Sequence, residues 1–155
     1  MSHKLFLLAI LSEPDIPNIN LLEEVAKDLI DHFETRSKTQ PGKALIVGMS
    51  RDICARLYEE LIAIKPEWHD TDHRKGGIKV VMTASAPDAQ HLQQHHTSKQ
   101  QKKDLEKRFK DPSDELKIVI VRDMWLTGFD APCLTTMYVD KPMQDANLAQ
   151  AIARV

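Results

Sequence analysis

The residues best placed to do chemistry in this chain lie toward its carboxyl end. Thr127, Gly128, Asp130 and Pro132 share one short turn, and Gln150 and Arg154 follow the next apolar run. Gly128 lets a ligand approach the backbone closely, Thr127 offers a hydroxyl, and Pro132 stiffens the turn that presents the Asp130 carboxylate. Asn147, Gln150 and Arg154 stand at i, i+3 and i+7, one polar stripe of a helix whose other face carries Leu148, Ala151, Ile152 and Val155. Arg154 is the sole charge on that stripe, and the fixed fork of donors on a guanidinium suits phosphate. Taken alone, the turn is equally a well-made turn, and a polar stripe is usually just a solvated helix face.

Two more polar sets follow apolar runs upstream, and a third candidate begins the Thr127 turn itself. Ser50 and Arg51 come after Ala44 to Met49, where a helix N-terminus with unpaired N–H groups can face an anion, or where Ser50 is simply an N-cap. Thr83 and Ser85 close the run Ile78 to Ala84 and offer hydroxyls, though both are also common turn residues. Arg122 ends Lys117 to Val121 and either meets phosphate by charge or faces solvent.

Several other patterns do not qualify as sites. Gly42-Lys43 lacks the upstream glycine and the Ser/Thr of a phosphate loop, and it precedes an apolar run instead of following one. Glu115-Leu116-Lys117 imitates a nuclease E-x-K but falls at the opposite end of its strand from the other candidates. His91, His95 and His96 have one helical metal spacing and no evident third ligand, so they read as a solvated histidine cluster.

Positioning these residues requires an alternation of short strands and amphipathic helices. Strands are expected at Ala44 to Met49, Ile78 to Ala84, Lys117 to Val121 and Leu134 to Asp140. Asn20 with Glu23 reads as a capping box opening a helix to about Thr35, and further helices are expected over Arg51 to Ile64 and Ser98 to Lys110. Continuously apolar strands such as Ile118 to Val121 suit a parallel sheet covered on both faces, so the expected fold is an α/β three-layer sandwich. Lys65 to Gly77 and Pro87 to Ser98 read as polar surface loops. In such a sheet, ligands gather where the strands end, which is where the candidate residues fall.

Bulk properties exclude several alternatives. The 155 residues carry 21 basic and 23 acidic side chains, a formal charge of −2, so any nucleic-acid contact must come from placed groups and not from overall charge. Cys54 and Cys133 match no metal spacing and fit reduced thiols in a cytoplasmic protein. The apolar run Leu5 to Leu11 is short for a leader and lacks a small-residue cleavage site, and no run is long enough to span a bilayer.

Residues 43–155 resemble the second RecA-like domain in the motor (R) subunit of type I restriction enzymes, a branch of the superfamily 2 nucleic-acid motors. The resemblance rests on Arg122-Asp123-Met124-Trp125-Leu126-Thr127-Gly128-Phe129-Asp130-Ala131-Pro132, on Tyr138-Val139-Asp140-Lys141-Pro142-Met143 and on Gln150-Ala151-Ile152-Ala153-Arg154-Val155, in that order. The first and last correspond to motifs V and VI of such motors. Met49-Ser50-Arg51 and Lys107-Arg108-Phe109-Lys110-Asp111-Pro112 are similar as well.

That resemblance implies an ATP-dependent double-stranded DNA translocase working with modification and specificity subunits. Arg154 would be its catalytic arginine finger, and Gly128, Asp130 and Gln150 would lie at the nucleotide. Ser50, Arg51, Thr83, Ser85, Arg122 and Thr127 would lie along the DNA. ATP and Mg²⁺ would be bound mainly by the first RecA-like domain of the parent, so the fragment alone is expected to be inactive. Residues 1–42 are read as a connecting segment and helix, and the motor domain as ending within motif VI. Arg122 departs from the Thr common at its place in motif V. Two other readings stay open at this level: a different superfamily 2 helicase or remodeller, and a non-catalytic α/β binding module.

Overall fold

The computed structural model of the chain describes residues 4–7, 19–85, 87–122 and 133–139. Five parallel strands form one sheet: β1 (Lys4–Leu7), β2 (Lys43–Val47), β3 (Ile78–Val81), β4 (Ile118–Val121) and β5 (Leu134–Val139), in the order β1-β5-β2-β4-β3. Helices α1 (Ile19–Thr39), α2 (Arg51–Ile64), α3 (Gln90–Gln93) and α4 (Lys99–Lys110) join or cover them.

Alternation along the strands builds the layers, because successive side chains point to opposite faces of the sheet. Ala44, Ile46, Ile78, Val80, Ile118, Ile120 and Tyr138 face α1 and α2, where they meet Leu22, Val25, Leu29, Leu57 and Leu61. Leu45, Val47, Val81, Val119, Val121, Met137 and Val139 face the other way and pack with Leu105 and Phe109 of α4. Both sheet faces are therefore dry, which is why the strands read as unbroken apolar runs. The result is an α/β three-layer sandwich of RecA-like type. Phe109 is wholly enclosed, and burying one such side chain is worth about 2 kcal/mol.

Local signals explain most boundaries. Ser50 accepts the amide of Ile53 and starts α2 at Arg51. Ser98 and Gln101 form a reciprocal capping box that starts α4. The first helix departs from expectation at both ends: Asn20 lies inside α1 and so is not its cap, and the helix continues to Thr39. Apolar periodicity stops at Phe33, but Ser37 donates to the Phe33 carbonyl and Thr39 to that of Arg36. Pro41 is the first residue whose ring disfavours further helix.

The sheet also contains β1, a strand not read from the sequence, paired with β5 from Lys4↔Thr136 to Leu7↔Val139. A short apolar run looks alike as strand, leader or helix until it finds a partner.

Candidate nucleic-acid interface at the carboxyl edge

Strands β2, β4 and β3 are neighbours and end level with one another, Val47 opposite Val121 and Val121 opposite Val81. The chain leaves this edge at Gly48, Met82 and Arg122, bringing together residues far apart in sequence. Gly48 donates to the Val121 carbonyl at 2.8 Å, and a Cβ on it would sit 2.6 Å from the Cys54 sulfur. Only glycine lets the first turn of α2 fold this closely onto the strand end.

Arg51, the first residue of α2, reaches across to the segment after β3. Its Nη1 donates to the Thr83 carbonyl at 2.7 Å and to Asp88 Oδ2 at 2.7 Å, and its Nη2 donates to Asp88 Oδ1 at 2.6 Å. The Asp88 carboxylate is 5% exposed and also accepts the Ser85 amide at 2.9 Å and His96 Nε2 at 2.8 Å. The Arg51 guanidinium, helped by His96 and the Ser85 amide, holds the Asp88 carboxyl well below the usual carboxylate range despite its burial. A second tie lies alongside. Asp52 accepts from Arg56 at 2.8 Å and from His91 at 2.5 Å, fastening α3 to α2.

Arg51, Thr83, Ser85 and Arg122 line one cavity of about 320 Å³ with Val81, Met82 and Ala84. The structure thus gathers Arg51, Thr83, Ser85 and Arg122 at one edge, with Ser50 beside them capping α2. Thr127, Gly128, Asp130, Gln150 and Arg154 lie outside the described residues. Thr83 serves through its carbonyl, and Ser85 through its amide. Asp88 was not singled out from the sequence, although Ser85 with Asp88 three residues later has the form of a capping signature, and His96 was read only as one of a solvated histidine cluster.

The histidine-rich segment is not the solvated cluster expected. His91 and His96 are tied to carboxylates, and His95 is 7% exposed against Tyr58, with ring centroids 4.7 Å apart. Burial, with Lys79 close by, pushes the His95 pKa down to about 4. An apolar helix face on α2 supplied a partner that the local sequence does not reveal. Lys43 and Glu115 have structural positions. Lys43 is 1% exposed with its ammonium on the Arg108 carbonyl at 2.8 Å, and Glu115 accepts the Gly76 amide at 2.8 Å.

A parallel three-layer α/β domain with Arg51 and Arg122 brought together where the strands end has the architecture of RecA-like domains, which place ligands at that edge. Residues 59–155 match the family described as type I restriction enzyme subunit R domain 3, and the chain belongs to that family. It is 58% identical over 134 residues to the type I restriction enzyme HindI endonuclease subunit of Haemophilus influenzae, covering 86% of this chain and 13% of that one. It is 44% identical over 135 residues to the putative type I restriction enzyme MjaIXP endonuclease subunit of Methanocaldococcus jannaschii, covering 86% of this chain and 12% of that one. The chain spans roughly an eighth of the length of these relatives. No helix among the described residues is long and apolar enough to cross a membrane.

Proposed function

We propose that this chain is the second RecA-like motor domain of a type I restriction endonuclease, part of an ATP-driven translocase that moves double-stranded DNA. The observation that carries the DNA side is the meeting of Arg51 and Arg122 around one cavity at the strand ends. Two guanidiniums there suit a phosphate backbone, whose contacts position a duplex without reading its bases. Ser50, Arg51, Thr83, Ser85, Arg122 and Thr127 are assigned to this track. Recognition of a target sequence then belongs to the specificity subunit, with the modification subunit completing the complex in the cytoplasm.

ATP with Mg²⁺, held mainly by the first RecA-like domain, would supply the free energy of each step. Gly128, Asp130 and Gln150 are assigned to the nucleotide and Arg154 to its γ-phosphate, where a guanidinium stabilises transferring charge. Arg154→Ala in the intact protein is expected to lower DNA-stimulated ATP hydrolysis by about 10³-fold or more, with Lys a poor replacement. A loss of under about tenfold in a steady-state ATPase assay removes Arg154 from the site. On the DNA side, Arg51→Ala should weaken duplex binding uniformly across sequences and lower the salt slope by about one.

A further inference from the structure

We propose that Asp88 is a positioning residue for DNA binding, holding the Arg51 guanidinium so that one bidentate edge is left for a backbone phosphate. The inference rests on the DNA-track reading above and extends it to a residue outside that track.

A guanidinium has an end-on edge, formed by Nη1 and Nη2, and a side-on edge, formed by Nε and Nη2. Asp88 occupies the end-on edge with both oxygens, and the Thr83 carbonyl takes the remaining Nη1 hydrogen. Among the described residues nothing accepts from Nε or from the outer Nη2 hydrogen. Those two donors form the parallel pair that matches two oxygens of a phosphate. The Arg51 side chain keeps 27% of its surface exposed and lines the same cavity as Arg122.

The hold is stiff for reasons that can be read from its partners. Asp88 is nearly enclosed, and its Oδ2 also accepts from the Ser85 amide and from His96, so its carboxylate cannot swing away with Arg51. Carboxylate and carbonyl grip the guanidinium from two directions, which fixes its plane. Fixing that plane in advance removes rotamer entropy that a phosphate contact would otherwise cost. A latch that blocked DNA would instead occupy the donors that the phosphate needs, and here the side-on pair is left over.

The test is duplex binding by the intact protein across a salt series, using a short labelled DNA and thermal melting as the control for folding. Asp88→Asn, which removes the charge but keeps the shape, should weaken binding about tenfold and lower the salt slope by about one, as Arg51→Ala does. The double variant Asp88→Asn with Arg51→Ala should bind no worse than Arg51→Ala alone, since both act through one contact. If Arg51→Ala weakens binding while Asp88→Asn leaves it unchanged, the positioning role is wrong, and if Asp88→Asn tightens it, Asp88 is instead a brake. If Arg51→Ala changes neither affinity nor slope, the DNA-track reading itself fails and takes this inference with it. Should Asp88→Asn fail to fold, Arg51→Lys decides: a loss close to that of Arg51→Ala supports a fork held by Asp88, and wild-type binding by the ammonium overturns it.

Discussion

Two arginines at opposite ends of the sheet show how the same side chain is put to different uses. Arg108, near the end of α4, gives Nε to Asp114 at 2.9 Å, Nη1 to the carbonyls of His73 and Lys75, and Nη2 to the Gly76 carbonyl and to Asp114. Every donor is spent inside the protein, and the residue is 9% exposed. It closes the loop that passes through Gly76, whose φ of +92° suits glycine. Arg51, at the carboxyl edge, is gripped from two sides and still has a donor pair to offer. Donor saturation therefore separates a staple from a contact residue where residue type and charge do not.

Substituting each arginine should break this symmetry. Arg108→Ala leaves three carbonyls without a donor and Asp114 with only the Leu116 amide, and is expected to cost about 3–5 kcal/mol, read as a lowered denaturation midpoint. Arg51→Ala should shift that midpoint far less while removing DNA affinity. Equal shifts would mean that Arg51 is also a staple.

Acid should act next most strongly, and through the seam that joins the two regions. A cavity of about 180 Å³ is lined by Asp72 and His73 from the loop that Arg108 closes, by His95 and His96 from the loop that holds Arg51, and by Tyr58 and Lys79. His95 falls from an ordinary 6.5 to about 4 in the folded chain, so as pH drops the unfolded chain takes up the proton first. Its share of stability is whole above about pH 6.5 and is lost progressively down to about pH 4. The loss is about 3 kcal/mol. Denaturant titrations at several pH values should show that dependence flattened in His95→Leu, and an unchanged slope would mean that other groups govern the acid response.

The smallest expected effect compares the two ends of β2. A Cβ on Gly42 would sit 2.2 Å from Thr135 Cγ2 and 2.5 Å from its hydroxyl, on a side chain that is itself buried. Gly42→Ala should cost about 1–3 kcal/mol by overpacking and leave DNA binding untouched, since it lies at the end of the sheet away from the proposed track. A binding defect at unchanged stability would place function at that end instead.

The α2 helix was legible in the sequence from Arg51 to Ile64, because its cap and its apolar stripe lie within the helix or one residue before it. The four expected strands were found with their described ends within three residues of the expected ones, as in β3, which begins at Ile78 as expected but stops at Val81 and not at Ala84. Met82 is buried but Thr83 and Ala84 are exposed. β-Branched and small residues thus read as strand after the ladder had ended. At the carboxyl edge, Ser50, Arg51, Thr83, Ser85 and Arg122 could be nominated from position alone. Asp88 could not be tied to Arg51, because their bond spans 37 positions and depends on how α2 packs beside β3.

By itself, then, the sequence determined periodicities, caps and the ordered phrases that mark the family, all encoded among near neighbours. The tertiary structure alone decided which of two arginines keeps donors to offer, that Lys43 is enclosed, that β1 joins the sheet, and that His95 is neutral. Each of those depends on a partner brought in from another element, such as the Arg108 carbonyl that meets the Lys43 ammonium across 65 positions. A donor or a charge has no fixed role until packing has removed water and set the groups that replace it.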